Sequence, residues 1–69
     1  MNMFMREALD IVAYLERHGY TAEVDTDRSQ IVVKDPVMTL TPKGGQRTDY
    51  TDVRFNGWEF AIRFVEVRS

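Results

Sequence analysis

The chain contains no cysteine, a single histidine and only two prolines among 69 residues, and no apolar run approaches a membrane span. Without cysteine there is no disulfide framework and no thiolate to act as nucleophile or soft metal ligand. An intracellular, reducing setting is compatible with that. One histidine cannot assemble a zinc site alone, and no Gly-x-Ser-x-Gly elbow offers a serine nucleophile. A bilayer crossing needs roughly 20 consecutive apolar residues. The opening Met1-Asn2-Met3-Phe4-Met5-Arg6 is apolar for a few positions and then charged, which falls short of a secretory signal. A soluble, cytoplasmic protein without membrane contact is the expectation. A basic excess is also missing: nine Lys and Arg against eleven Asp and Glu leave a net charge of −2. That argues against a protein held to nucleic acid by bulk electrostatics.

What is present fits one small folded domain over residues 1–69. Hydrophobic residues make up 43% and charged residues 29%, a globular composition with too many apolar positions for a disordered tail. Eight aromatic residues supply apolar area that so short a chain needs, since small domains bury a smaller share of their surface. Met5, Ala8, Leu9, Val12 and Leu15 recur at helical spacing, with Phe4 and Ile11 widening the stripe, and predict a helix from about Met3 to His18. Asn2 is placed to cap its start. Gly19 suits a left-handed C′ position, with Tyr20 folding back on Leu15 as in a Schellman motif.

Beyond Gly19 the pattern turns to sheet. Tyr20, Ala22 and Val24 alternate with Thr21, Glu23 and Asp25, and Asp25 to Ser29 form a polar turn. The β-branched run from Gln30 to Lys34 predicts a central strand that Asp35-Pro36 interrupts, with a shorter strand resuming from Val37 to Thr41. Pro42 to Arg47 is the longest loop. Asn56-Gly57 between two alternating apolar runs predicts a terminal hairpin with a type I′ turn. That register pairs Phe55 with Trp58, Val53 with Phe60 and Thr51 with Ile62 on the core face, and places Asp49 opposite Phe64. The reverse face pairs Arg54 with Glu59 and Tyr50 with Arg63. The predicted fold is α+β: one N-terminal helix packed on one face of a four- or five-stranded antiparallel meander.

Few groupings suggest chemistry. His18 at a helix end reads as a cap or surface residue, having no nucleophile and orienting acid beside it. Asp25-Thr26-Asp27-Arg28-Ser29 resembles the opening of a calcium loop, but Gln30 stands where glycine is needed and Pro36 where a bidentate glutamate is needed. Asp52 and Glu59 lie diagonally and form no catalytic pair. Neither catalytic residue, cofactor nor metal is expected. Lys43-Gly44-Gly45-Gln46-Arg47 lacks the spacing of a phosphate-binding loop, yet Lys43 and Arg47 are the candidate contacts for RNA or DNA, together with the outer sheet face. Tyr50, Arg54, Arg63 and Val65 together form the candidate protein-binding face, because tyrosine and arginine are enriched where proteins meet. A long last strand at a sheet edge adds an open row of backbone groups.

The stretch from Asp10 to Tyr20 followed by short strands resembles the helix-then-hairpin start of small double-stranded-RNA-binding-like folds such as the HicA-type toxins, over about a third of the chain. Those toxins carry a catalytic histidine in a Gly-Ser-His context at the second strand. Here that stretch is Arg28-Ser29-Gln30-Ile31, so the resemblance does not bring RNA cleavage with it. The expectation is a non-enzymatic protein-interaction module, an adaptor, regulator or inhibitor of prokaryotic or phage type, binding an unknown protein partner, a second copy, or both. A small RNA- or DNA-binding module is the alternative.

Overall fold

The computed structural model describes residues 3–69. Chain order runs α1 (Met3–Arg17), β1 (Thr21–Asp25), β2 (Gln30–Leu40), β3 (Gln46–Phe55) and α2 (Trp58–Arg68). The predicted first helix is present, while Asn2, its expected cap, lies outside the described residues. Its C-terminus closes as the sequence indicates. Gly19 takes φ +90°, the Gly19 N–H donates to the Glu16 carbonyl at 3.0 Å, and the Tyr20 N–H donates to the Leu15 carbonyl at 3.0 Å. These are the two hydrogen bonds of a Schellman motif.

The sheet has three antiparallel strands in the order β1-β2-β3, fewer than the four or five expected. Two differences account for this. First, β2 runs unbroken through Asp35 and Pro36, in register from Ile31↔Phe55 to Leu40↔Gln46. β1 ends at Thr21↔Lys34, so from Asp35 onward β2 has a neighbour on one side only. A proline nitrogen directed to the empty side costs no ladder bond.

Second, the terminal hairpin does not form. Trp58–Arg68 is helical, and Asn56-Gly57 joins a strand to a helix. Gly57 is extended (φ −160°, ψ 162°) and serves as the N-cap, its carbonyl accepting from the Ala61 N–H at 3.2 Å. Ala61, Phe64 and Val65 recur at helical spacing and are buried. Glu59 sits in the first turn and Arg68 in the last, which suits the helix dipole. Trp58 is half-buried, and Phe60 and Ile62 are exposed, so the core expected from strand alternation is replaced by one with a helical period.

Both helices lie on one face of the sheet. Ala8, Ile11 and Leu15 of α1, Ile31 and Val33 of β2, Phe55 of β3, and Ala61, Phe64 and Val65 of α2 form one buried cluster. Phe64 of this cluster lies edge-on to Tyr20 (ring centroids 5.0 Å) and tilted against Phe55 (6.4 Å). Trp58 and Tyr14 meet edge to face at 5.5 Å and join the two helices.

Only part of the sheet is covered. Residues 35–40 of β2 and 46–51 of β3 extend past the end of β1 as a two-stranded arm. The Cα radius of gyration is 14.0 Å, against about 11 Å for a compact chain of this length. The arm accounts for the difference. At its tip the Gly44 N–H donates to the Thr41 carbonyl and the Thr41 N–H to the Gly45 carbonyl, with Gly44 at φ +82°. Among the described residues, no helix is long and apolar enough to cross a membrane.

Candidate functional site

Alternation along the strands assigns the open face of the sheet. Thr21, Glu23 and Asp25 of β1, Gln30, Val32 and Lys34 of β2, and Asp52 and Arg54 of β3 point away from the helices. This stretch is closed off by ion pairs. Arg54 reaches over β2 to Asp25 at 2.9 Å, and Lys34 pairs with Asp52. Val32 is buried beneath this charged layer, on the side away from the main core. Burial pushes the Asp25 carboxyl up, but hydrogen bonds from Arg54 and the Arg28 backbone, with both guanidinium charges, hold it below its ordinary value. The Lys34 hydrogen bond likewise holds Asp52 low. Asp25 is thereby committed to the sheet. No group of His, Asp and Glu able to hold a metal ion occurs among the described residues.

The same face continues onto the arm with a different character. Pro36, Met38 and Leu40 of β2 stand opposite Tyr50, Thr48 and Gln46 of β3. Leu40 is 73% exposed, Tyr50 65% and Met38 62%. These side chains form an apolar strip on a ribbon over which, among the described residues, no layer lies. On the reverse side Val37 is exposed as well, and Arg47 pairs with Asp49 at 3.2 Å. Over residues 35–51 the arm carries Asp35, Lys43, Arg47 and Asp49, two charges of each sign.

Between β3 and α2 runs a groove of about 300 Å³. Val53 and Phe55 form one wall, and Phe60, Arg63, Phe64 and Val67, a stripe at helical spacing, form the other. Arg68 closes its end. Its guanidinium stacks 3.7 Å from the Phe64 ring centroid and grips Asp35 with two hydrogen bonds, at 3.0 and 2.6 Å. A third N–H donates to the Phe64 carbonyl at 3.0 Å. The Arg68 hydrogen bond outweighs burial and holds Asp35 below the usual carboxylate range.

The four residues expected to share a protein-binding face are divided by this arrangement. Tyr50 and Arg54 do lie on the open sheet face. Arg63 is on α2, on the other side of the sheet, and its partner is Glu59 at 3.5 Å, one helical turn away. Val65 is 6% exposed and belongs to the core. The shared face assumed a terminal hairpin; a helix turns every third or fourth side chain together instead. Asp49, expected opposite Phe64, stands opposite Val37 on the arm. Lys43 is at the arm tip and Arg47 on the arm's helix-side face, so neither joins Arg54 or Arg63. His18 lies past the end of α1 with its ring 4.7 Å from Tyr14.

Two features were missed from sequence. Nothing local links Asp35 to Arg68, which are 33 positions apart. The arm left a trace in the apolar residues Val37, Met38 and Leu40 beyond Pro36, which a continuous strand would have placed alternately on two open faces. The helix-then-hairpin start is present as α1, β1 and β2. Compared with known proteins, the chain matches no family model, and no curated protein or solved structure shows significant similarity to it.

Proposed function

We propose that this chain is a small non-enzymatic protein-interaction module whose binding element is the projecting arm. The observation that carries this reading is the uncovered apolar strip of Pro36, Met38, Leu40 and Tyr50 on a two-stranded ribbon. An isolated ribbon is marginally stable in water. A partner that covers the strip adds the second layer that the arm lacks. Tyrosine and methionine are also among the residue types enriched at protein interfaces.

The alternative, RNA or DNA binding through Lys43 and Arg47, gains little from this geometry. The arm is electrically balanced, Arg47 is engaged by Asp49, and Arg54 by Asp25. Sequence-independent affinity for nucleic acid needs several unopposed cations along one surface.

The test is capture from host extract with the wild-type chain and with Leu40→Glu, each at low and high salt. The expected result is a protein partner retained by wild type at both salts and lost with Leu40→Glu. Steeply salt-dependent retention of nucleic acid would refute the reading, and so would capture that Leu40→Glu leaves unchanged.

A further inference from the structure

The free edges of the sheet differ in a way that selects one of them. β1 is five residues long, and the exposed side of β2 along the arm is interrupted by Pro36. β3 offers ten consecutive residues without proline or glycine, and its register with β2 is continuous. Pro36 also fixes which β3 groups face outward. It has no N–H, yet Pro36↔Tyr50 lies within an unbroken ladder, so this is a non-hydrogen-bonded pair. Tyr50 therefore turns its N–H and C=O away from β2. By alternation Thr48, Asp52 and Arg54 do the same, whereas Asp49, Thr51 and Val53 bond to β2.

We propose, resting on the protein-interaction reading above, that one partner of this edge is a second copy of the chain. The two β3 strands pair antiparallel about a two-fold axis at Tyr50, giving a continuous six-stranded sheet. Backbone hydrogen bonding and charge favour this occupant and register. With the axis perpendicular to the sheet, residues in the two copies pair same face to same face, so the outward-facing positions meet one another. Centring on Tyr50 sets Tyr50 opposite Tyr50 of the second copy, Thr48 opposite Asp52, and Gln46 opposite Arg54. That makes about ten backbone hydrogen bonds, the usual complement of a specific interface. On the helix side Asp49 meets Thr51 and Arg47 meets Val53, so every charged residue of β3 faces a neutral one. Moving the axis to Asp49 or Asp52 would instead set aspartate against aspartate, which is destabilising. An axis at Thr51 opposes no like charges either, but it makes fewer hydrogen bonds within β3.

The accessible surface is 5173 Å², whereas a compact monomer of 8.1 kDa exposes about 4,500 Å². The excess, roughly 700 Å², belongs to the extended arm, and pairing of the β3 edges covers part of it. The pairing also sets the arm of one copy alongside Val53, on the β3 wall of the other copy's groove.

Sedimentation equilibrium tests the association, and single-cysteine cross-linking tests the register, in a chain with no other cysteine. The expected result is a dimer for the wild-type chain. Tyr50→Pro removes an outward N–H that β2 does not use and should yield a folded monomer with an unchanged far-UV spectrum. Oxidation should cross-link Tyr50→Cys, because opposed residues of a bonded pair lie about 5.5 Å apart at Cα, within disulfide reach. Asp52→Cys should stay uncross-linked, its counterpart being four residues further along. A wild-type chain that sediments as a monomer at all concentrations overturns the pairing, and it does so without touching capture of a different protein through Leu40. Cross-linking of Asp52→Cys as readily as Tyr50→Cys overturns the register. If Tyr50→Pro unfolds, the assignment of its N–H to the free edge is wrong and the pairing falls with it.

Discussion

Replacing Gly57 by aspartate separates a helix start from a hairpin turn by the sign of its effect. Gly57 is extended at φ −160°, a conformation any residue adopts, and a Cβ built there would meet only the Phe60 ring at 3.9 Å, an ordinary contact. Among the described residues, no side chain caps α2. An aspartate at this position would accept a hydrogen bond from the N–H of Glu59 or Phe60, worth a few tenths of a kcal/mol over glycine. Its charge at the positive end of the helix dipole adds about 0.5 kcal/mol, and loss of glycine's freedom in the unfolded chain adds about as much. Repulsion from Glu59 removes part of the gain. The net is about 1 kcal/mol of stabilisation, a rise in Tm of about 4–8 °C for a domain of this size. In a type I′ turn the same substitution would sit at positive φ and cost about 1 kcal/mol. Thermal unfolding of wild type and Gly57→Asp at pH 7, followed by far-UV circular dichroism, measures the sign. A lower Tm for the variant would refute the helical N-cap and with it the assignment of Trp58–Arg68.

The Asp35–Arg68 pair, with side chains 20% and 30% exposed, should show a coupling of about 1 kcal/mol in a double-mutant cycle of Asp35→Asn and Arg68→Ala, read by urea unfolding. Because Arg68 depresses the folded pKa of Asp35, its contribution is complete above the unfolded value of ~3.9 and disappears as pH falls through the folded value. Asp35→Asn should therefore flatten the acid limb of the stability profile, and an unchanged limb would mean that the pair contributes nothing to folding. Phe64→Ala should cost about 3–4 kcal/mol, since the ring is 6% exposed and touches Tyr20, Phe55 and Arg68; a loss below about 1 kcal/mol would mean that α2 is not docked. Gly19→Ala should cost about 1 kcal/mol through the positive φ alone, because a Cβ there meets nothing within 4 Å. A neutral result in urea unfolding would exclude the left-handed C′ position.

The first helix and its Schellman end, the β1 strand and the polar turn to β2 were legible in the sequence. Each depends on groups a few positions apart: the apolar stripe from Met5 to Leu15, the glycine at position 19, the alternation from Tyr20 to Val24. Tyr50 and Arg54 were correctly placed on the open sheet face, because that stretch of β3 is extended whichever way the chain continues. Arg63 and Val65 were misplaced because their positions depended on whether the chain beyond Asn56-Gly57 turns back as a strand or winds into a helix.

Two features were decided only in three dimensions. Trp58–Arg68 carries apolar residues at both periods, so its local pattern fits a strand or a helix. A single helix covers only part of one face of a three-stranded sheet, and a helical α2 brings Ala61, Phe64 and Val65 onto Ile11, Leu15, Ile31 and Phe55. Burial of that cluster outweighs the turn preference of Asn-Gly, which is worth far less than several buried side chains. The second is Pro36. By itself it reads as a strand break, and it is tolerated because β1 ends two residues earlier and leaves its nitrogen nothing to bond. Local periodicity thus determined the elements whose partners lie nearby in sequence, and the packing of residues some 30 to 50 positions apart determined the second helix, the unbroken β2 and the exposed arm.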